Sequence, residues 1–213
     1  MQNEGGMVMV KSATSGESWP MSDTVRGNGQ TIRSNTTDVQ WYDGNRIKSF
    51  NTTGFVLGSD GAVNNSSNQY LALAFRKCPK FFDIVTYVGN GTAGREIPHE
   101  LDAVPGMIWV KKLDQGTEDW AVYHKSVGKE YAMTLNSDSN RDQQSIYWND
   151  TAPTSTHFTV GGSNRVNSSS SSPNYIAYLF ADNEEAFGDD GKQSIMKLDE
   201  YPGNSANNLI NCG

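Results

Sequence analysis

The run Gly89-Asn90-Gly91-Thr92-Ala93-Gly94 has the spacing of a dinucleotide fingerprint and follows a β-branched, aromatic stretch, Phe81–Tyr87. That chemistry needs a helix next, with its N-terminus at the pyrophosphate. Pro98 follows instead and no helical periodicity surrounds it, so a glycine turn is the reading. Asp182, Glu184, Glu185, Asp189 and Asp190 form an acidic stretch. Asp182, Glu184, Asp189 and Asp190 are weak candidates for calcium, which takes oxygen ligands. Their spacing lacks the glycine and terminal glutamate of an EF-hand loop, and a solvated acidic linker is the plain alternative. His99, His124 and His157 show no zinc-ligand spacing. The many serines include no nucleophile elbow. Amphipathic aromatics stack on sugar rings at wet surfaces. Tyr147, Trp148 and Asn149, with Tyr123, are the candidate surface or glycan contact. Trp148, next to Asn149-Asp150, is the most loop-like of them. Trp109 and Trp120 lie in apolar runs and read as core. No catalytic residue, metal site or cofactor is assigned.

The elements that must carry these residues come in two copies. Gly6-Met7-Val8-Met9-Val10-Lys11 returns as Gly106-Met107-Ile108-Trp109-Val110-Lys111. Trp19 falls on Trp120, Asn35 on Asn136, Phe55 on Phe158, and Tyr70–Phe75 on Tyr175–Phe180. The offset drifts slowly, as expected when loops absorb length changes and packed strands do not. Strands are expected over 7–11, from Trp19, over 31–34, 55–57, 70–76 and 81–87. In the second copy they are expected near 107–112, 119–124, 131–135, 145–148, 157–160 and 174–181, with a further one over 193–198. Residues 41–47 read as a loop, and Glu184–Phe187 as one helical turn. No window holds apolar residues at helical spacing over three turns. Tyr175–Phe180 is apolar at both odd and even positions, so both faces must be covered, by a loop, a neighbouring unit or another subunit.

The resulting expectation is an all-β chain of two tandem homologous β-sandwich units with little helix. Residues 1–80 form the first unit, without a lead-in strand, and 81–187 the second. Residues 188–213 hold the lead-in of a further repeat or a strand closing the first, since Ile195–Asn204 resembles Ile84–Asn90. A net charge of −7 argues against a nucleic-acid partner. Polarity comes from Asn, Ser, Thr and Gly rather than from charge, which suits turns and exposed strand faces. No apolar run reaches the ~18–20 residues of a membrane helix. Met1–Gly6 shows no secretory pattern. Cys78 and Cys212 read as idle thiols, with a disulfide as the alternative. Matches to N-x-S/T are expected by chance in so Asn-rich a chain.

The series Phe81–Tyr87, Gly89–Thr92, Ile97-Pro98-His99, Val104–Lys111, Asp119–His124, Tyr147-Trp148-Asn149, Thr151–Ser155 and Tyr175–Ala181 resembles a repeat of tailed-bacteriophage virion proteins, common in marine phages. Asn45–Asn51 and Gly54-Phe55 resemble the middle of a sister repeat. The resemblance covers nearly the whole chain. It implies a lectin-like or jelly-roll β-sandwich in a tail fibre or other appendage, located in the virion and not an enzyme. The implied partners are other virion proteins and host surface glycan, with a homo-oligomer, a trimer foremost. A purely architectural spacer or decoration protein is the alternative, and a glycan-degrading appendage a third.

Overall fold

The computed structural model describes residues 1–182 and 184–210. The first half builds one antiparallel sheet from β1 (Gly6–Ser12), β2 (Pro20–Asp23), β3 (Gln30–Arg33) and β4 (Trp41–Tyr42). A hairpin of β5 (Ile47–Phe50) and β6 (Phe55–Leu57) and the single turn α1 (Gly61–Asn64) follow, and then β7 (Tyr70–Arg76) returns beside β1. The order is β4-β3-β2-β1-β7.

The second half contributes β8 (Phe82–Val88), β9 (Arg95–Pro98), β10 (Pro105–Lys112), β11 (Ala121–His124), β12 (Tyr131–Thr134) and β13 (Asp142–Gln143). After these come α2 (Ser145–Trp148), β14 (His157–Val160), α3 (Asn164–Asn167) and β15 (Asn174–Ala181). The sheet order is β13-β12-β11-β10-β15-β8, and β9 pairs with β14. Each large sheet is a meander whose last strand returns beside its first. The protein is all-β and sandwich-like, with helix confined to single turns.

The same local devices recur at matching places. Asp60 caps α1 by accepting from the Ala62 N–H, and Ser163 caps α3 by accepting from the Arg165 N–H. Tyr70 Oη donates to the Gly61 carbonyl at 2.6 Å, and Tyr175 Oη to that of Asn164 at 2.7 Å. A Cβ on Gly58 would sit 2.2 Å from the Asn45 carbonyl oxygen, and one on Gly161 the same distance from that of Ile146.

Three apolar clusters explain how β15 is buried on both faces. Tyr175, Ala177 and Leu179 face a core closed by Ile97, Trp148, Phe158 and Val166 of their own half. Ile176, Tyr178 and Phe180 face a central core shared with Met7, Met9, Met21 and Ile32 of the first sheet. The first sheet packs its other face, with Val8 and Val10, on Ile47, Phe50 and Val63. The cover over the second face of β15 is therefore the other sheet of the same chain. The sandwich runs between the halves, with a small two-stranded layer outside each sheet, the β5–β6 hairpin on the first and the β9–β14 pair on the second.

Several local expectations change. Residues 145–148 form α2 and not a strand, because the chain must turn back there to bring Tyr147 and Trp148 under the second sheet. The 41–47 segment contains β4, which pairs with β3 through Thr31 and Trp41. Glu184–Phe187 is not helical; Phe187 bridges Gln193 across a turn. Gln193–Leu198 has no strand ladder beyond that bridge. Cys78 is half-buried, and Cys212 lies outside the described residues. Among the described residues no helix is long and apolar enough to cross a membrane.

Candidate binding cleft at the seam between the sheets

The aromatic surface site expected from the sequence is not assembled. Trp148 is only 1% exposed and Tyr147 and Tyr123 are buried beside it. Tyr123 and Trp148 meet edge to face at 5.8 Å, and Trp148 Nε1 donates to the Tyr131 carbonyl. The pair closes the outer core of the second half, so its rings cannot meet a ligand. Asn149 is exposed, but as the left-handed cap of α2, with its N–H on the Ser145 carbonyl. Nothing in the Tyr147-Trp148-Asn149 sequence distinguishes a buried turn from an exposed one.

The acidic candidates do not converge either. Asp182 pairs with Lys125 and accepts the Leu198 N–H. Asp190 accepts the Lys192 N–H, and Asp189 and Glu185 point to solvent. Glu184 is half-buried, its carbonyl taking the Ala186 N–H. Among the described residues no group of three or more His, Cys, Asp or Glu side chains is placed to hold a metal ion. Gly89–Gly94 is a loop leading into β9, with Gly91 and Gly94 at positive φ.

The seam between the sheets gathers polar side chains instead. Asp23 ends β2, and its Oδ1 accepts the backbone N–H groups of Val25 and Arg26 at 3.0 and 2.8 Å. This local turn sends the Arg26 side chain back over the sheet. Arg26 Nε then meets Asp23 Oδ2 at 2.5 Å, and Arg26 Nη2 reaches Tyr178 Oη at 3.3 Å. Tyr178 Oη donates to Asp23 Oδ2 at 2.8 Å. The Arg26 side chain is 4% exposed and that of Asp23 fully buried. Burial is the largest influence on Arg26 and disfavours its charge. Its interactions with Tyr178 and Asp23 overcome that and leave its pKa above the ordinary value. Burial likewise holds Tyr178 protonated well above its ordinary range.

Arg26 Nη1 is buried and has no hydrogen-bond partner among the described residues, and the same holds for Gln40 Oε1. Both residues line one hollow of about 210 Å³, together with Val25, Gln30, Thr86 and Asn174. Leu113 forms the apolar side, and its carbonyl accepts the Gln40 N–H at 2.8 Å across the seam. Asn174 is fixed by Asp114, which takes both its backbone and side-chain N–H groups. The volume lies below the ~300–1,000 Å³ of drug-sized sites. It suits one small, neutral, many-hydroxyl group. Three amides and a threonine offer both donors and acceptors, and the guanidinium charge is already answered by Asp23.

An exposed aromatic stands beside this lining. Tyr42 is 70% exposed, and it lies opposite Gln30 in the β3–β4 ladder, so both side chains leave the same face. A Cβ on Gly29 would come within 2.7 Å of the Tyr42 ring, so glycine lets the ring lie close over the backbone. Its neighbour Trp41 has Arg33 at 4.6 Å and Arg46 at 5.0 Å from its ring centroid, which stiffens β4. Sequence reasoning missed Tyr42 because Asp43-Gly44 made the whole stretch look like loop.

Fold and site together define a β-sandwich with a polar seam cleft and an exposed tyrosine beside it. The chain belongs to the family described as a domain of unknown function, DUF7483, which matches residues 2–191. Comparison with the curated proteins and with the solved structures gave no match.

Proposed function

We propose that this chain is a structural component of a tailed-phage virion, of the tail-fibre or appendage type, that reads host-surface glycan through the seam cleft. The observation that carries the glycan reading is the pair of unpartnered buried atoms, Arg26 Nη1 and Gln40 Oε1, lining one hollow beside exposed Tyr42. Sugars present the complementary groups: hydroxyls that donate and accept, and a C–H face that stacks on an aromatic ring. The virion assignment rests on the run of residues from Phe81 to Ala181 that resembles phage appendage repeats. Such a cleft binds one sugar weakly. Copies brought together in a homo-oligomer, a trimer foremost, gain avidity through effective concentration. Other virion proteins would be its assembly partners.

The test is binding to a glycan array and to host cells by the intact chain, repeated with Tyr42→Ala and Gln40→Ala. The expected result is binding to a restricted set of glycans, lost in both variants while the fold persists. Binding that neither variant alters, or no glycan binding at all, overturns the cleft reading. Release of reducing sugar ends from host polysaccharide would replace it with a glycan-degrading appendage.

A purely architectural role is the second reading. The observation favouring it is that Tyr123, Tyr147 and Trp148 are built into the core of the second half and not presented to a ligand.

A further inference from the structure

The two sheets differ at one edge. In the second, β8 pairs with β15 from Phe82↔Phe180 to Asn174↔Val88. In the first, β7 occupies the place of β15, pairs with β1 along its whole length, and among the described residues has no strand on its other side. The ladder fixes which groups are left open. The Ala13 N–H bonds the Gln69 carbonyl and the Lys77 N–H bonds that of Gly5, so odd positions of β7 face β1. The N–H and C=O groups of Tyr70, Ala72, Ala74 and Arg76 therefore point outward. Leu71 and Leu73 are 61% and 46% exposed, where the matching Ile176 and Tyr178 are fully buried. An unpaired apolar edge of this kind is a template for an added strand.

The sockets that hold β8 on the second half are present on the first, and no strand among the described residues fills them. Tyr87 stacks on Tyr175 at 5.2 Å and donates to the Val166 carbonyl. Gly89 passes so close to Ser168 that a Cβ would lie 2.5 Å from its carbonyl oxygen. The Asn90 N–H donates to Asn167 Oδ1 at 2.9 Å. On the first half Tyr70, Val63, Asn65 and Asn64 stand at those places. Asn64 makes the same side-chain bond to Gly58 that Asn167 makes to Gly161, yet Asn64 is exposed and Asn167 buried.

The segment with the matching pattern is the chain's own C-terminal stretch. Met196, Leu198, Tyr201, Gly203 and Asn204 stand in the spacing of Phe82, Ile84, Tyr87, Gly89 and Asn90. Pro202 takes the place of Val88, a position whose N–H faces away from β15, since the Gly89 N–H makes the bond to Pro173. A proline there loses no ladder bond. The ion pair of Lys77 with Asp83 at 3.0 Å has its charges exchanged at the equivalent positions, Asp182 and Lys197. Met196 and Leu198 already pack against the shared central core, and the Leu198 N–H is held by Asp182. That bond uses the N–H that would point away from β7. Beyond it Tyr201 is exposed.

We infer that residues 196–204 add antiparallel to β7 of the same chain, with Leu198 opposite Leu73 and Tyr201 opposite Tyr70. The chain would then close on itself by the same crossing that carries β8 from the end of β7 to the edge of the second sheet. The short tether from Asp182 favours the segment of the same molecule over that of another. This closure does not depend on what the seam cleft binds.

The test is a cysteine pair, Leu71→Cys with Glu200→Cys, in the full chain with Cys78→Ser and Cys212→Ser. These positions face each other without a hydrogen bond, at a Cα separation of about 4.5 Å that suits a disulfide. The expected result is a disulfide within one chain, formed roughly tenfold or more faster than by the mismatched pair Leu71→Cys with Asn204→Cys. Equal rates for the two pairs, or a bond between chains, overturns the closure. Hydrogen exchange reads the same contact without cysteines. The amides of Ala72 and Ala74 should exchange slowly, and quickly once Leu198 and Tyr201 are both replaced by Asp. Fast exchange in the unaltered chain overturns the closure as well.

Discussion

The hydroxyl of Tyr178 donates to the carboxylate of Asp23 at 2.8 Å, joining residues 155 apart in sequence and one sheet to the other. Trp120 Nε1 does the same at 2.9 Å to the Arg33 carbonyl, and Lys111 Nζ at 2.9 Å to that of Thr37. Each is a buried polar group on one half satisfied by the other. The halves are thus locked in orientation by directional bonds, and the cleft between them keeps its shape.

Tyr178→Phe removes the shared hydroxyl while leaving the ring in the central core. Asp23 and Arg26 keep each other but lose their third partner. A loss of about 1–3 kcal/mol in unfolding free energy is expected from the buried groups left short of a bond. Urea unfolding of the two proteins measures it, and equal midpoints with equal slopes would show that the bond contributes nothing to stability.

Lys111 is buried, and desolvation lowers its pKa to about 8 despite the nearby acidic groups of Asp119, Asp38 and Glu118. The unfolded lysine titrates near ~10.4. Between those values the unfolded chain binds more protons, so stability should rise with pH from about 8 to about 10. Tyr175 works the other way. Burial raises it to about 12. Above an unfolded value of ~10 the folded chain holds the extra proton and stability should fall. Unfolding free energies measured from pH 7 to 11 should pass through a maximum, and Lys111→Met should flatten the rising limb.

Gly58→Ala and Gly161→Ala should be costly to a similar degree. Each added Cβ would meet a backbone carbonyl at 2.2 Å, and backbone cannot swing aside. A loss of about 1–3 kcal/mol or more is expected for each. Gly16→Ala, with no atom within 4 Å of the new Cβ, is the control that should leave the melting temperature unchanged.

Tyr42→Ala and Trp148→Ala should separate binding from stability. Tyr42 is exposed, so its loss should change stability by less than about 0.5 kcal/mol and abolish glycan binding. Trp148 closes a core, so its truncation should cost about 3–5 kcal/mol and leave any remaining folded protein able to bind. Thermal melts alongside array binding give both readouts.

Much of the strand framework was legible from residue order. The stretches Phe55–Leu57, Tyr70–Arg76, His157–Val160 and Asn174–Ala181 are strands where apolar runs sit between turn residues, because burial and pleat are local demands on composition. Repetition helped, since matching residues in two copies exposed which positions the packing holds. Tyr147-Trp148 failed as a surface site for the opposite reason. A four-residue turn and a short strand present the same composition, and only the second half's outer core shows that both rings point inward.

What residue order determined by itself was the alternation that makes Tyr175–Phe180 apolar on both faces. What only the tertiary structure decided was the identity of each cover: the outer β9–β14 layer on one side and the first half's sheet on the other. It also brought Arg26, Gln30, Gln40, Thr86 and Asn174 around one hollow. No spacing along the chain encodes that meeting, because it arises from stacking two sheets whose side chains were each fixed by their own strands.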